Sequence, residues 1–163
     1  MAHNEGYAAK YAKMSKVQGK LVTVINHDVR PTMQKANVWT SEPLKIGSHL
    51  FCVEWRDGTL KVLIGEQFAT VVSRHCVCVL DREALSGYRF CLTGQVTKYP
   101  KDAMKVIIEE LGGEVVPAPK KATHFLRGDI ANSFKLLFAD ENNLPVLDFE
   151  QFKELTNEAI IWL

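Results

Sequence analysis

Cysteine is scarce in this chain of 163 residues, and long apolar runs are missing. The four cysteines, Cys52, Cys76, Cys78 and Cys91, sit inside apolar stretches rather than in loops. That placement suits buried free thiols in a reducing, intracellular compartment and argues against a disulfide scaffold. No run of about 18 apolar residues occurs, so no membrane-spanning helix is expected. Residues 1–7, Met-Ala-His-Asn-Glu-Gly-Tyr, contain no apolar h-region, so no signal peptide is expected. Gly-x-Ser-x-Gly, P-loop and nucleotidyl-transfer lysine motifs are absent. The acids are scattered, with no paired constellation for proton transfer. A non-catalytic protein is therefore the expectation, with no cofactor and no metal.

What is present is an ordinary globular composition, 47% hydrophobic, enough for one average domain or two small ones. The net charge of +1 hides an asymmetry. Residues 1–82 hold eleven Lys/Arg against seven Asp/Glu, and residues 83–163 hold nine against twelve, giving +4 and −3. Within the acidic half the cations gather at Lys98, Lys101, Lys105, Lys120, Lys121, Arg127 and Lys135. A local basic face on an acidic domain suits one or two phosphates better than a long duplex, because affinity scales with the phosphates neutralised.

Residues 1–16 read as a polar arm, with a short helix over Tyr7–Met14 as the alternative. Residues 17–82 read as a small β-rich domain. Leu21–Asn26 is β-branched, and Pro31 and Pro43 bracket a loop-like segment. His49–Trp55 and Thr59–Ile64 flank Arg56-Asp57-Gly58, a strong hairpin signal. Phe68–Leu80 adds one bent strand or two. Four or more short strands in so few residues predict a small barrel or SH3-like curled sheet. Phe51 and Phe68 are assigned to its core, and Trp39 to an exposed contact of the kind that stacks bases. His75-Cys76-Val77-Cys78 lacks the second ligand pair that a structural zinc needs, so its thiols are assigned to packing.

The second half alternates strand and helix. Arg89–Leu92 is a tight apolar run suited to a buried parallel strand. Pro100–Leu111 is a helix with Ala103, Val106, Ile107 and Leu111 on one face, stopped by Gly112-Gly113. Val115–Val116 and Thr123–Leu126 follow as strands, and Ser133–Phe138 as a short helix. Pro145–Leu147 is a last strand, and Asp148 N-caps a helix through Phe152 and Leu155. Thr93-Gly94, ending the first of these strands, can aim a hydroxyl and a backbone N–H at one anion. Lys135, near a helix start, adds a full charge.

The order Gly87–Gly94, Leu111-Gly112-Gly113-Glu114-Val115-Val116, Ala122-Thr123-His124-Phe125-Leu126, Lys135 and Leu144–Asp148 resembles a BRCT domain over residues 84–157. It is most similar to the subgroup of NAD-dependent DNA ligases and the large subunit of replication factor C. The resemblance implies an α/β fold, a four-stranded parallel sheet flanked by helices. It also implies a phosphate site at Thr93, Gly94, Lys101 and Lys135. Lys98, Lys105 and Arg127, from the local gathering of cations, are assigned as accessory basic contacts. Two positions depart from the pattern: Phe134 stands where a small polar residue is usual, and Phe152 where tryptophan is frequent. His124 is assigned to hydrogen-bonded packing.

The expected function is recognition of a phosphate group in DNA replication or repair, a 5′-phosphate end or nick. A phosphorylated protein is the alternative ligand. A phosphate-independent adaptor, or an accessory part of a ligase, is the rival role. The apolar residues 158–163 read as a tail that must bury on the chain itself, on a second copy or on a partner protein. The compartment would be cytoplasm or nucleoid in a prokaryote or virus, and nucleus in a eukaryote.

Overall fold

The computed structural model describes residues 12–33, 42–96 and 98–163. The proposed arm before residue 12 and Trp39 lie outside these residues. The chain divides into two compact units, Met1–Val79 with Ile161–Leu163, and Leu80–Ile160.

The first unit opens with helix α1, described over residues 12–17. Seven strands follow: β1 (Leu21–Val24), β2 (Thr32–Met33), β3 (His49–Arg56), β4 (Thr59–Ile64), β5 (Gln67–Val72), β6 (Cys76–Val79) and, from the far end of the sequence, β11 (Ile160–Trp162). They form one sheet in the order β11-β6-β1-β3-β4-β5-β2. Pairings among β1–β6 are antiparallel. The β3–β4 hairpin turns at Asp57-Gly58, with Gly58 at φ 77°. Glycine takes that left-handed backbone without a side-chain clash.

Among the described residues the end strands β11 and β2 do not pair, so the sheet is open rather than closed into a barrel. Of the places expected for the apolar tail, the observed one is the chain itself. The tail forms β11 beside β6, and Ile160 and Ile161 are buried. Strand pairing inside the chain thus satisfies both its backbone and its apolar side chains.

One sheet face is closed by Val22, Leu50, Cys52, Leu60, Val62, Ala69 and Val71, all buried. Cys52, Cys76 and Cys78 are buried free thiols in this unit. Burial pushes the Cys76 thiol up to about 12 and the Cys52 thiol up to about 11. A group that resists becoming thiolate packs as a small hydrophobe. His75 Nδ1 meets the Asn26 amide at 3.1 Å.

The second unit is α/β. Its strands β7 (Arg89–Thr93), β8 (Glu114–Val115), β9 (His124–Arg127) and β10 (Val146–Leu147) are ordered β10-β9-β7-β8, and every pairing is parallel. Helix α2 (Lys101–Glu110) buries Ala103, Met104, Ile107 and Ile108. These include two residues the simple face assignment omitted, while Val106 lies at the margin. Gly112, at φ 89°, ends this helix against the Arg82 carbonyl, where an added Cβ would sit only 2.4 Å away. Helix α3 (Ser133–Glu141) starts at Asn132, whose side chain accepts the Phe134 and Lys135 N–H groups. Helix α4 (Phe149–Leu155) starts at Asp148, which forms a reciprocal capping box with Gln151. Phe90, Phe125 and Phe152 are fully buried, and Phe90 meets Phe152 edge-on at 5.7 Å. Each such ring contributes roughly 1.5–3 kcal/mol by leaving water.

Candidate functional site

Parallel sheets are covered on both faces, so ligands meet them at the carboxyl ends of the strands. Strand β7 ends at Thr93. The Thr93 carbonyl accepts the Gly128 N–H at 2.8 Å, toward β9. In a trans peptide the next N–H points the opposite way, so the Gly94 N–H faces away from β9. Carbonyls alternate along a strand, and the Leu92 carbonyl also faces away from β9. There it accepts Lys135 Nζ at 3.1 Å. One backbone donor and one ammonium are thus brought to the same side of the β7 end.

Lys101, in the first turn of α2, lines a small recess with Leu92, Gly94 and Met104. Burial raises the pKa of the Cys91 thiol, while Lys135 and Lys101 pull it down.

Thr93 sits where the strand meets the start of α3. Its side chain is only 1% exposed, and its Oγ1 accepts the Asn132 N–H at 2.7 Å. Asn132 Oδ1 then accepts the Phe134 and Lys135 N–H groups at 2.9 and 3.1 Å. Thr93 thus ties the strand to the start of α3 and sets where Lys135 enters. Asn132 was missed in the sequence, although an Asn-Ser step before an apolar run is an N-cap signal.

The accessory cations divide. Lys98 and Arg127 line a neighbouring cleft of about 500 Å³ that also holds Val96, Asp129 and Glu150. Lys105 is not gathered in: it is exposed and lies 3.9 Å from Glu109, one helical turn away. Such exposed pairs are worth little, about 0.3–0.5 kcal/mol.

The loop after β7 is held very close to the loop after β9. Gln95 and Asp129 pair through reciprocal N–H···O bonds of 3.3 and 2.9 Å. An added Cβ at Gly94 would lie 2.4 Å from the Asp129 carbonyl, and one at Gly128 would lie 2.4 Å from Gln95. Both positions need glycine for that approach. Beyond the bridge, Ile130 is 99% exposed and Phe134 is 82% exposed.

His124 belongs to packing. Its ring stacks on Tyr88 at 4.5 Å, and its Nδ1 lies 2.8 Å from Thr123 Oγ1. Burial lowers its pKa.

The comparisons with known proteins fall on this unit. Residues 81–155 match the family described as the BRCA1 C Terminus (BRCT) domain. The DNA ligase of Caldicellulosiruptor saccharolyticus is 38% identical over 74 residues, 45% of this chain and 11% of that protein. The DNA ligase of Corynebacterium jeikeium is 38% identical over 77 residues, 47% of this chain and 11% of that protein. Replication factor C subunit 1 of Drosophila melanogaster is 31% identical over 77 residues, 47% of this chain and 8% of that protein. The chain thus spans only about a tenth of the length of these relatives. Residues 81–155 of this chain belong to the BRCT family.

Proposed function

We propose that the chain is a non-catalytic binding module of DNA replication or repair that recognises a terminal phosphate, the 5′-phosphate of a DNA end or nick. The observation that carries this reading is that Lys135 Nζ reaches the Leu92 carbonyl at the carboxyl end of β7, while Gly94 and Lys101 line the recess that Leu92 borders. A backbone donor with two cations fits a phosphate with more than one negative charge. Each charge-assisted bond contributes roughly 1.5–3 kcal/mol. In this reading Lys135 releases the Leu92 carbonyl and turns to the ligand. Thr93 and Asn132 position its helix, and Lys98 and Arg127 meet the next phosphate of the strand. The relatives support the setting, because their names are those of DNA-joining and replication proteins. Four free thiols support a reducing compartment.

The test is fluorescence anisotropy with a nicked duplex, with and without its 5′-phosphate. Binding should need the phosphate, and Lys135→Ala should weaken it roughly ten- to hundredfold. A variant that binds both duplexes as wild type does removes the phosphate-end reading. A phosphopeptide that competes with the duplex at equal concentration would move the ligand to a protein.

A further inference from the structure

The first unit presents an open sheet face, and its composition is ordered. The register aligns Leu21 with Phe51, Phe51 with Leu63, and Leu63 with Phe68. These four residues form one apolar row across β1, β3, β4 and β5, opposite in side-chain direction to the buried Val22, Leu50, Val62 and Ala69. Leu21 is 47% exposed, Phe51 41% and Phe68 45%. Phe51 and Phe68 are therefore not core residues, contrary to expectation.

A second row lies beside the first. The register shifts between Cys52 and Glu54, leaving Val53 as an extra residue and turning the even-numbered residues of β3 outward. Glu54 now pairs with Lys61, and Lys61 with Thr70. Glu54, Arg56, Lys61 and Thr70 line a shallow cleft on this face. Lys61 Nζ reaches back over the Phe68 ring, 4.6 Å from its centroid. The bulge thus sets a charged row, Lys61 beside an Arg56–Glu54 ion pair of 2.6 Å, against an aromatic row.

We propose that this face binds a single-stranded polynucleotide, with Phe51 and Phe68 each stacking a base and Lys61 and Arg56 meeting the backbone. The two rings lie two strands apart, about 10 Å, so each can take its own base. Aromatic rings beside cations on a sheet are what sequence-tolerant strand binding needs, since every base has a π-face and every linkage a charge. The charge of the unit agrees. Residues 1–79 carry ten Lys/Arg against six Asp/Glu, a balance of +4. A purely apolar protein partner would be poorly served by a row with charges along its flank.

The test uses the full chain and a labelled oligothymidylate of roughly 16 nucleotides with a 5′-hydroxyl, so that no terminal phosphate is on offer. The wild type should bind, and binding should weaken steeply as salt rises. The Phe51→Ala/Phe68→Ala pair should weaken it about tenfold or more. Phe51→Trp should bind at least as tightly as wild type. Because both rings are on the surface, the circular dichroism of the double variant should match that of wild type. The proposal falls if the double variant binds as wild type does. It also falls if the wild type ignores the oligonucleotide but self-associates in sedimentation while the double variant does not. In that case a second copy of the chain covers the face.

Discussion

The two units use sheets in opposite ways. In the second, both faces of a parallel sheet are covered, so polar groups that can meet a ligand are confined to strand ends and loops. Gly94 and Lys101 line one small recess, and Lys135, from a third stretch, reaches the Leu92 carbonyl that borders it. In the first, an antiparallel sheet closes one face and leaves the other open. There the exposed groups come from adjacent strands in register and spread into rows. A point suits a single phosphate, whereas rows suit an extended polymer. The pairing mode of the strands thus decides which kind of surface each unit can present.

The widest contrast is between phenylalanines. Phe125, fully buried on β9, should cost about 3–5 kcal/mol when cut to alanine. Phe68 on the open face should cost no more than about 0.5 kcal/mol. Urea unfolding followed by circular dichroism measures both, and equal costs would erase the distinction between core and open face. Next comes the paired-loop approach. Gly94→Ala combines a left-handed backbone, φ 76°, with a 2.4 Å contact to the Asp129 carbonyl. It should destabilise the chain by about 2–4 kcal/mol. A neutral result would mean that the two loops part easily.

Thr93→Val keeps the shape of the side chain and removes the acceptor for the Asn132 N–H. It should cost about 1–3 kcal/mol of stability. It should also weaken phosphate-end binding, because Lys135 follows Asn132. Loss of binding with no loss of stability would instead make Thr93 a direct ligand.

The smallest effect is with pH. Burial lowers the His124 pKa in the folded state, so the unfolded chain takes up the proton first. Stability from this group is present above the ordinary histidine pKa of about 6.5 and is lost as pH falls through the folded value. Wild type should lose more stability than His124→Gln between neutral pH and about 5. An identical acid slope in the two proteins would refute this.

The elements of the second unit were readable because their signals are local. Gly112-Gly113 stops a helix wherever the rest of the fold lies, and Asp148 caps one with Gln151 three residues later. The bond between Thr93 and Asn132 was not readable. It joins the strand to a helix that arrives some forty residues later in the chain, and spacing carries no record of that. The faces of Phe51 and Phe68 were unreadable for another reason. Leu50-Phe51-Cys52-Val53 is apolar at every position, so alternation names no inner side, and the bulge at Val53 then changes the parity. Pairing of the apolar tail with β6 depends on a contact across nearly the whole second unit, beyond the reach of any local pattern.

Strand β11 also constrains how the protein can be made. Synthesis delivers β6 by Val79, but its outer neighbour begins only at Ile160. At ordinary translation rates that gap lasts roughly 4–16 s. During it the nascent sheet shows an unpaired strand edge to every other chain emerging nearby. Of the two units, the one synthesised earlier is thus completed later, and crowded polysomes are where its misfolding would begin.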